Sequence, residues 1–143
     1  MSCDNESKYC TCLYYSAGAL ARVMTKIAAE EFSITQLAPS YAFLLMTVNA
    51  RPGIQPKAIS ERMMLAPSTV TRLIEKMETR GYLTRKSLGK YTEVYSTEKS
   101  RALDSKIHLA WQKLYQRYVS ILGEAESKKL TVDIYEAAVK LQE

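Results

Sequence analysis

The chain has little glycine and proline, five and four residues among 143, and no long run of apolar residues. A helix that crosses a membrane needs about 20 consecutive apolar residues, so the sequence predicts no membrane span. The charged fraction of 24% is ordinary for a folded domain. Residues 1–9 are polar and acidic, unlike a secretory signal. We therefore expect a single domain over residues 1–143 and a cytoplasmic protein.

The sequence also lacks the patterns that mark catalytic and metal sites. It has one histidine, His108, no glycine-rich phosphate loop, and no pair of carboxylates that the sequence alone brings together. Cys10 and Cys12 would need two further ligands to hold a zinc ion. We therefore expect no enzyme, no cofactor and no metal site.

The three cysteines, Cys3, Cys10 and Cys12, all lie at the N-terminus. An odd number in a cytoplasmic protein does not indicate a structural disulfide framework. Two alternatives remain open for Cys10 and Cys12. They either pack at a dimer interface or act as a redox sensor, because free backbone amides at the start of a helix favour a thiolate.

Positive charge is concentrated in the middle of the chain. Residues 51–101 contain eleven Lys or Arg against five Asp or Glu, whereas the remainder contains nine against ten. The net charge of +5 is therefore carried by this middle segment. Such an asymmetry indicates a module that binds a polyanion, although a basic surface without a partner would look the same.

Apolar residues at three- and four-residue spacing predict four longer helices. The first begins near Leu13, and the second begins near Pro39 and ends before Gly53. A third stripe runs through residues 100–122, and a last helix follows to Leu141. We expect the final two helices to carry more apolar surface than one small domain can cover, which predicts a homodimer.

Between these helices, the sequence predicts two short helices joined by a tight turn. The first covers residues 57–64, residues 65–67 break it, and the second runs from a capping Ser68 to Gly81. In a helix-turn-helix, the outer face of the second helix reads base edges in the major groove of DNA. The residues predicted on this face include Ser68, Thr69, Thr71, Arg72 and Lys76. Arg72 is the best candidate for a bidentate contact with guanine.

A basic hairpin is predicted directly after the second short helix. Residues 82–87 and 93–97 favour strands, and residues 88–92 form the connection. The hairpin carries Arg85, Lys86 and Lys90, which can lie along phosphates or enter a minor groove. The predicted fold is therefore mainly α-helical with a small β-hairpin wing, and its predicted partner is double-stranded DNA.

Three stretches of the sequence resemble the MarR family of winged helix regulators. They are Ile59-Ser60, the segment LAPSTVTRLI over residues 65–74, and the segment METRGYLTR over residues 77–85. The resemblance implies a DNA-binding lobe over residues 36–100 and a dimerisation region formed by residues 10–33 and 101–143. It also implies binding to an inverted-repeat operator, usually as a repressor.

The chain departs from the family in its wing, because the usual Asp-Arg pair is absent from residues 87–93. We therefore rank Arg85 and Lys90 below Arg72. The resemblance also implies a small-molecule effector. Tyr15, Tyr41 and Trp111 are the candidate residues for the wall of its pocket, although they can equally belong to the core.

Some relatives sense hydroperoxides through an N-terminal cysteine. The alternative function is a winged-helix module that binds protein rather than DNA.

Overall fold

A computed structural model of the protein describes residues 8–142. Over these residues the chain forms six α-helices, one short 3-10 turn at Ser33–Thr35 and one two-stranded antiparallel sheet. The helices are α1 (Leu13–Phe32), α2 (Pro39–Ala50), α3 (Pro56–Met63), α4 (Pro67–Thr79), α5 (Glu98–Leu122) and α6 (Glu124–Leu141), and the strands are β1 (Leu83–Leu88) and β2 (Tyr91–Ser96). This is the winged helix-turn-helix arrangement that the sequence predicted, with a helix before it and two after it.

The core lies where α2, α3, α4 and the sheet meet the first half of α5. Helix α2 contributes four buried residues and has no single apolar face, because other elements surround it. Helix α5 buries Ile107, Ala110 and Leu114 along one stripe, as the apolar spacing predicted. The strands add Leu83 and Val94 to the same core. Helix α5 therefore joins the helix-turn-helix to the outer helices α1 and α6, both of which contact it.

Two local predictions were wrong in detail. Ser68 does not cap α4, because the helix begins at Pro67 with Ala66 as its N-cap, and no side chain caps it. Proline favours the first helical position because its missing N–H has no partner there in any case. The hairpin is also tighter than predicted, since Leu88 pairs with Tyr91 and only Gly89 and Lys90 connect the strands. Gly89 has φ +61°, as a two-residue hairpin turn requires.

A large apolar surface remains exposed on the outer helices. It includes the start of α1, the end of α5 and much of α6, with Tyr14, Ile121 and Leu141 at least three-quarters exposed. A patch of this kind on a small domain usually marks an interface. Among the described residues, no helix is both long and apolar enough to cross a membrane.

Thr97 connects the start of α5 to Gly81 ahead of the wing through two hydrogen bonds. It is the N-cap of α5, where its side chain accepts a hydrogen bond from the Ser100 amide, and its hydroxyl donates to the Gly81 carbonyl at 2.7 Å. We expect Thr97→Ala to lower the free energy of unfolding by about 1–2 kcal/mol, because both bonds are lost. Urea unfolding at one fixed protein concentration measures this change.

Thr79→Ala is the matched control, because the Thr79 hydroxyl bonds only the Glu75 carbonyl of its own helix. That change should stay within about 0.5 kcal/mol of the wild type. Equal stability of the two variants would show that the cap of α5 contributes nothing measurable.

Candidate nucleic-acid interface

Helix α4 is packed on one side and open to solvent on the other. Val70, Ile74 and Met77 are buried at about three- to four-residue spacing and hold the helix against the core. The opposite side carries polar and charged groups, namely Ser68, Thr71, Arg72, Glu75 and Lys76, which are all exposed. Thr69 is half-buried at the edge of this face. Five of the six residues predicted on the outer face are therefore exposed, and Thr69 lies between the two sides.

The turn before α4 is fixed by two hydrogen bonds between Ser60 and Leu65. The Ser60 hydroxyl, in a residue that is 8% exposed, donates to the Leu65 carbonyl at 2.6 Å, and the Leu65 amide donates to the Ser60 carbonyl. Met64 ends α3 in a left-handed conformation with φ +54°. This tight turn sets the angle between α3 and α4, so α3 supports α4 from behind as a helix-turn-helix requires.

The cations of α4 and the wing that the sequence predicted to bind DNA fall into two groups, those without an ion pair and Arg85, which has one. Arg72, Lys86 and Lys90 are exposed and make no hydrogen bond or ion pair with the described residues. Lys76 is also exposed, and its ammonium group lies 5.9 Å from the centre of the Tyr41 ring. These four side chains are available to contact a polyanion.

Arg85 is already paired within the protein. Its Nη2 lies 2.8 Å from Glu78 Oε1 and its Nε lies 3.3 Å from Glu78 Oε2, so the guanidinium and the carboxylate meet at two points. The hydrogen bond from Arg85 lowers the pKa of Glu78, and the same bond raises the pKa of Arg85. Sequence analysis named Arg85 and missed Glu78. Opposite charges on either side of Gly81 are the signal that would have indicated this pair.

The three candidate pocket residues do not lie together. Tyr15 stacks on Tyr9 with ring centres 4.5 Å apart, Tyr41 faces Lys76, and Trp111 meets Phe43 edge to face at 6.0 Å. Trp111 lines an apolar cavity of about 280 Å³ between α1, α5 and α6, and neither Tyr15 nor Tyr41 is among its lining residues. Helix α6 completes the wall of this cavity with Ser127, Leu130, Thr131 and Ile134.

The two candidate redox residues differ from each other. Cys10 is disulfide-bonded, contrary to the expectation from the cysteine count, whereas Cys12 is an exposed free thiol at the N-cap of α1. Cys3 lies outside the described residues. His108 is half-exposed with its Nε2 3.5 Å from Asp104 Oδ2, so it belongs to a surface pair on α5. Within residues 8–142 no cluster of metal-binding side chains is found.

Comparison with known proteins agrees with this geometry. Residues 37–88 match the model of the MarR family, which covers α2 through β1. No curated protein sequence matches the chain. The fold is similar to that of PcaV, a transcriptional regulator from Streptomyces coelicolor solved with its natural ligand, with 18% identity, a TM-score of 0.82 and coverage of 96% of this chain and 98% of that one.

Two further solved structures contain DNA. The repressor CouR bound to a 23-mer duplex shares 18% identity, with a TM-score of 0.79 over 90% of this chain and 93% of that one. A mutant of MarR from E. coli with operator DNA shares 14% identity, with a TM-score of 0.80 over 92% and 98%. CouR from Rhodococcus jostii RHA1 has also been solved with p-coumaroyl-CoA, with 16% identity and a TM-score of 0.77 over 92% and 96%.

The class defined by this fold is the winged helix-turn-helix. Within that class, the family match over residues 37–88 confirms the resemblance to the MarR family that the sequence indicated.

Proposed function

We propose that the protein is a transcriptional regulator that binds an inverted-repeat operator as a homodimer, most simply as a repressor. The observation that carries this proposal is the exposed face of α4, where Arg72 stands unpaired between Ser68 and Lys76 on a helix braced by a tight turn. A cytoplasmic regulator without enzymatic activity fits this surface. CouR and the MarR mutant, which share the fold, were solved with DNA.

The exposed face of α4 suits the major groove. Arg72 can donate two hydrogen bonds to the O6 and N7 atoms of guanine, which is a contact that distinguishes bases. Ser68, Thr69 and Thr71 lie in the first turns of the helix and are short enough to contact bases or phosphates. The Thr71 hydroxyl donates to the Pro67 carbonyl, so it would serve DNA as an acceptor, for example from a base amino group.

The wing supplies contacts that do not depend on sequence. Lys86 lies near the end of β1 and Lys90 in the two-residue turn, and both are exposed. Cations at these positions can lie against phosphates beside the groove that α4 occupies. We assign Arg72 to base reading, Lys76, Lys86 and Lys90 to phosphates, and residues 36–100 to the DNA-binding lobe.

The outer helices supply the dimer. Residues 10–33 and 101–143 contain most of the exposed apolar surface, and a second copy is the occupant that would pair the two lobes for an inverted repeat. We further propose that DNA affinity responds to a small ligand or to oxidation of Cys12. The exposure of Cys12 at the start of α1 supports the second route, because α1 contributes to the same surface.

A protein-binding winged helix is the alternative function. Four cations without an ion pair on α4 and the wing favour DNA over this alternative, because a phosphate backbone presents regularly spaced negative charge to such a surface. Binding to the region upstream of the protein's own gene, measured at two salt concentrations, separates the two functions.

We predict that Arg72→Ala weakens specific binding by about 1–3 kcal/mol and relaxes base preference at one position in each half-site, because a bidentate base contact is lost. Affinity measured across a library of single-base operator variants tests this. Arg101→Ala is the control, since it removes the same charge from the start of α5, where the side chain donates to the Ser96 carbonyl. A uniform loss across the library would assign Arg72 to a phosphate instead.

We predict that Lys90→Ala weakens binding to all DNA sequences alike and reduces the salt slope, the dependence of log affinity on log salt, by about one unit. Lys90 lies at the tip of the wing and has no partner in the described chain, so its loss should leave the fold intact. An unchanged salt slope would mean that the wing tip stays away from DNA.

We predict that the protein sediments as a dimer at micromolar concentration and that Ile121→Lys dissociates it. Ile121 is 76% exposed near the end of α5, so a charge there costs the single chain little but is buried in the dimer. Leu88→Lys, at a residue that is 48% exposed on the wing, is the control and should remain dimeric. A folded monomer for the wild type would refute the proposed assembly.

A further inference from the structure

The outermost hydrogen bonds between the wing and the rest of the lobe lie at one level along the hairpin. Arg85 of β1 pairs directly with Val94 of β2. On the β2 side, Val94 is buried and bridges to Ile54, with hydrogen bonds at 2.9 and 3.0 Å to the segment between α2 and α3. On the β1 side, Arg85 reaches Glu78 in the last turn of α4. The two strands are therefore attached to different elements through one cross-strand pair.

Beyond this pair, no hydrogen bond or ion pair joins the described wing to another element. The residues farther out on β1, Lys86, Ser87 and Leu88, are exposed and paired only with β2. Lys86 and Lys90, the cations proposed to contact phosphates, both lie in this outer part. Their position relative to α4 thus depends on how firmly the hairpin is held at Arg85 and Val94.

The contact between Glu78 and Arg85 is suited to fixing an angle. Two nitrogens of a planar guanidinium meet two oxygens of a planar carboxylate, so the pair restricts orientation as well as distance. The pair is also close to neutral as a whole, which reduces its attraction for a phosphate. Each side chain is 36% exposed, so its contribution to overall stability is small.

We propose that Glu78 is a positioning residue, which holds the wing at a fixed angle to α4 through Arg85, and that Arg85 does not itself contact DNA. This inference rests on the proposed function for its effect on DNA, but the attachment of the wing is a property of the free protein. Glu78 of α4 thus stabilises the base of the wing. The tip of the wing lacks the Asp-Arg pair that is usual in the family.

The direction in which one substitution changes DNA affinity distinguishes this role from a phosphate contact. Glu78→Gln removes a negative charge from the DNA-binding face. If Arg85 contacts a phosphate, this change frees the guanidinium and strengthens binding. If Glu78 positions the wing, the same change weakens binding, because Lys86 and Lys90 lose their fixed placement. Glu75→Gln is the matched control, since Glu75 is exposed on the same helix and makes no hydrogen bond to Arg85.

The expected result is roughly three- to tenfold weaker DNA binding for Glu78→Gln, with a salt slope lower by about one. Lys90→Ala should then have little additional effect in the Glu78→Gln background. Arg85→Lys should resemble Glu78→Gln, because it keeps the charge but cannot form the two-point contact. Glu75→Gln should bind as well as the wild type or better. Tighter binding by Glu78→Gln, or normal binding by Arg85→Lys, would overturn the proposal.

Amide hydrogen exchange in the DNA-free protein tests the attachment independently. Glu78→Gln should accelerate exchange in residues 85–92 and leave exchange in α2 and α5 unchanged, whereas Glu75→Gln should change neither. Unchanged exchange in the wing would refute the positioning role even if DNA binding were affected. Failure of the wild type to bind any DNA would refute the proposed function, while hydrogen exchange would still decide whether Glu78 holds the wing.

Discussion

The burial of one side of α4 is the constraint on which the surface chemistry of this protein depends. Val70, Ile74 and Met77 are each at most 1% exposed, so the rotation of the helix about its axis is set by packing. Because side chains follow the helical period, burying these three places Arg72 on the opposite side. A substitution that weakened this packing would let the recognition face rotate, even if no exposed residue had changed.

Helix α5 connects the packed DNA-binding lobe to the outer helices α1 and α6. Its first turn is capped by Thr97, which also bonds the Gly81 carbonyl just beyond α4. Its middle is buried under the DNA-binding lobe, and its end carries Ile121 on the exposed apolar surface. The spacing between two lobes in a dimer would therefore be set along one continuous helix, and a ligand that bends or shifts this helix would change that spacing.

The positions of the helices could be predicted from the sequence because each follows from the period of its apolar residues. Helix starts were less predictable, since Pro67 competes with Ser68 for the same role and both are consistent with local rules. The pairing of Glu78 with Arg85 depends on how the chain turns at Gly81, which periodicity does not describe. Likewise, Tyr15, Tyr41 and Trp111 share an aromatic character but contact different neighbours.

The positive charge of the middle segment illustrates the difference between composition and available charge. Of its cations, Arg85 is paired with Glu78, Lys99 donates to the Arg80 carbonyl and covers the Tyr82 ring, and Arg101 donates to the Ser96 carbonyl. Each of these three side chains already has a partner within the protein. On α4 and the wing, the charges left for a phosphate backbone are those without an ion pair, namely Arg72, Lys76, Lys86 and Lys90. The number of counterions released on binding should follow this smaller set, because a phosphate competes poorly for a cation that already has a partner.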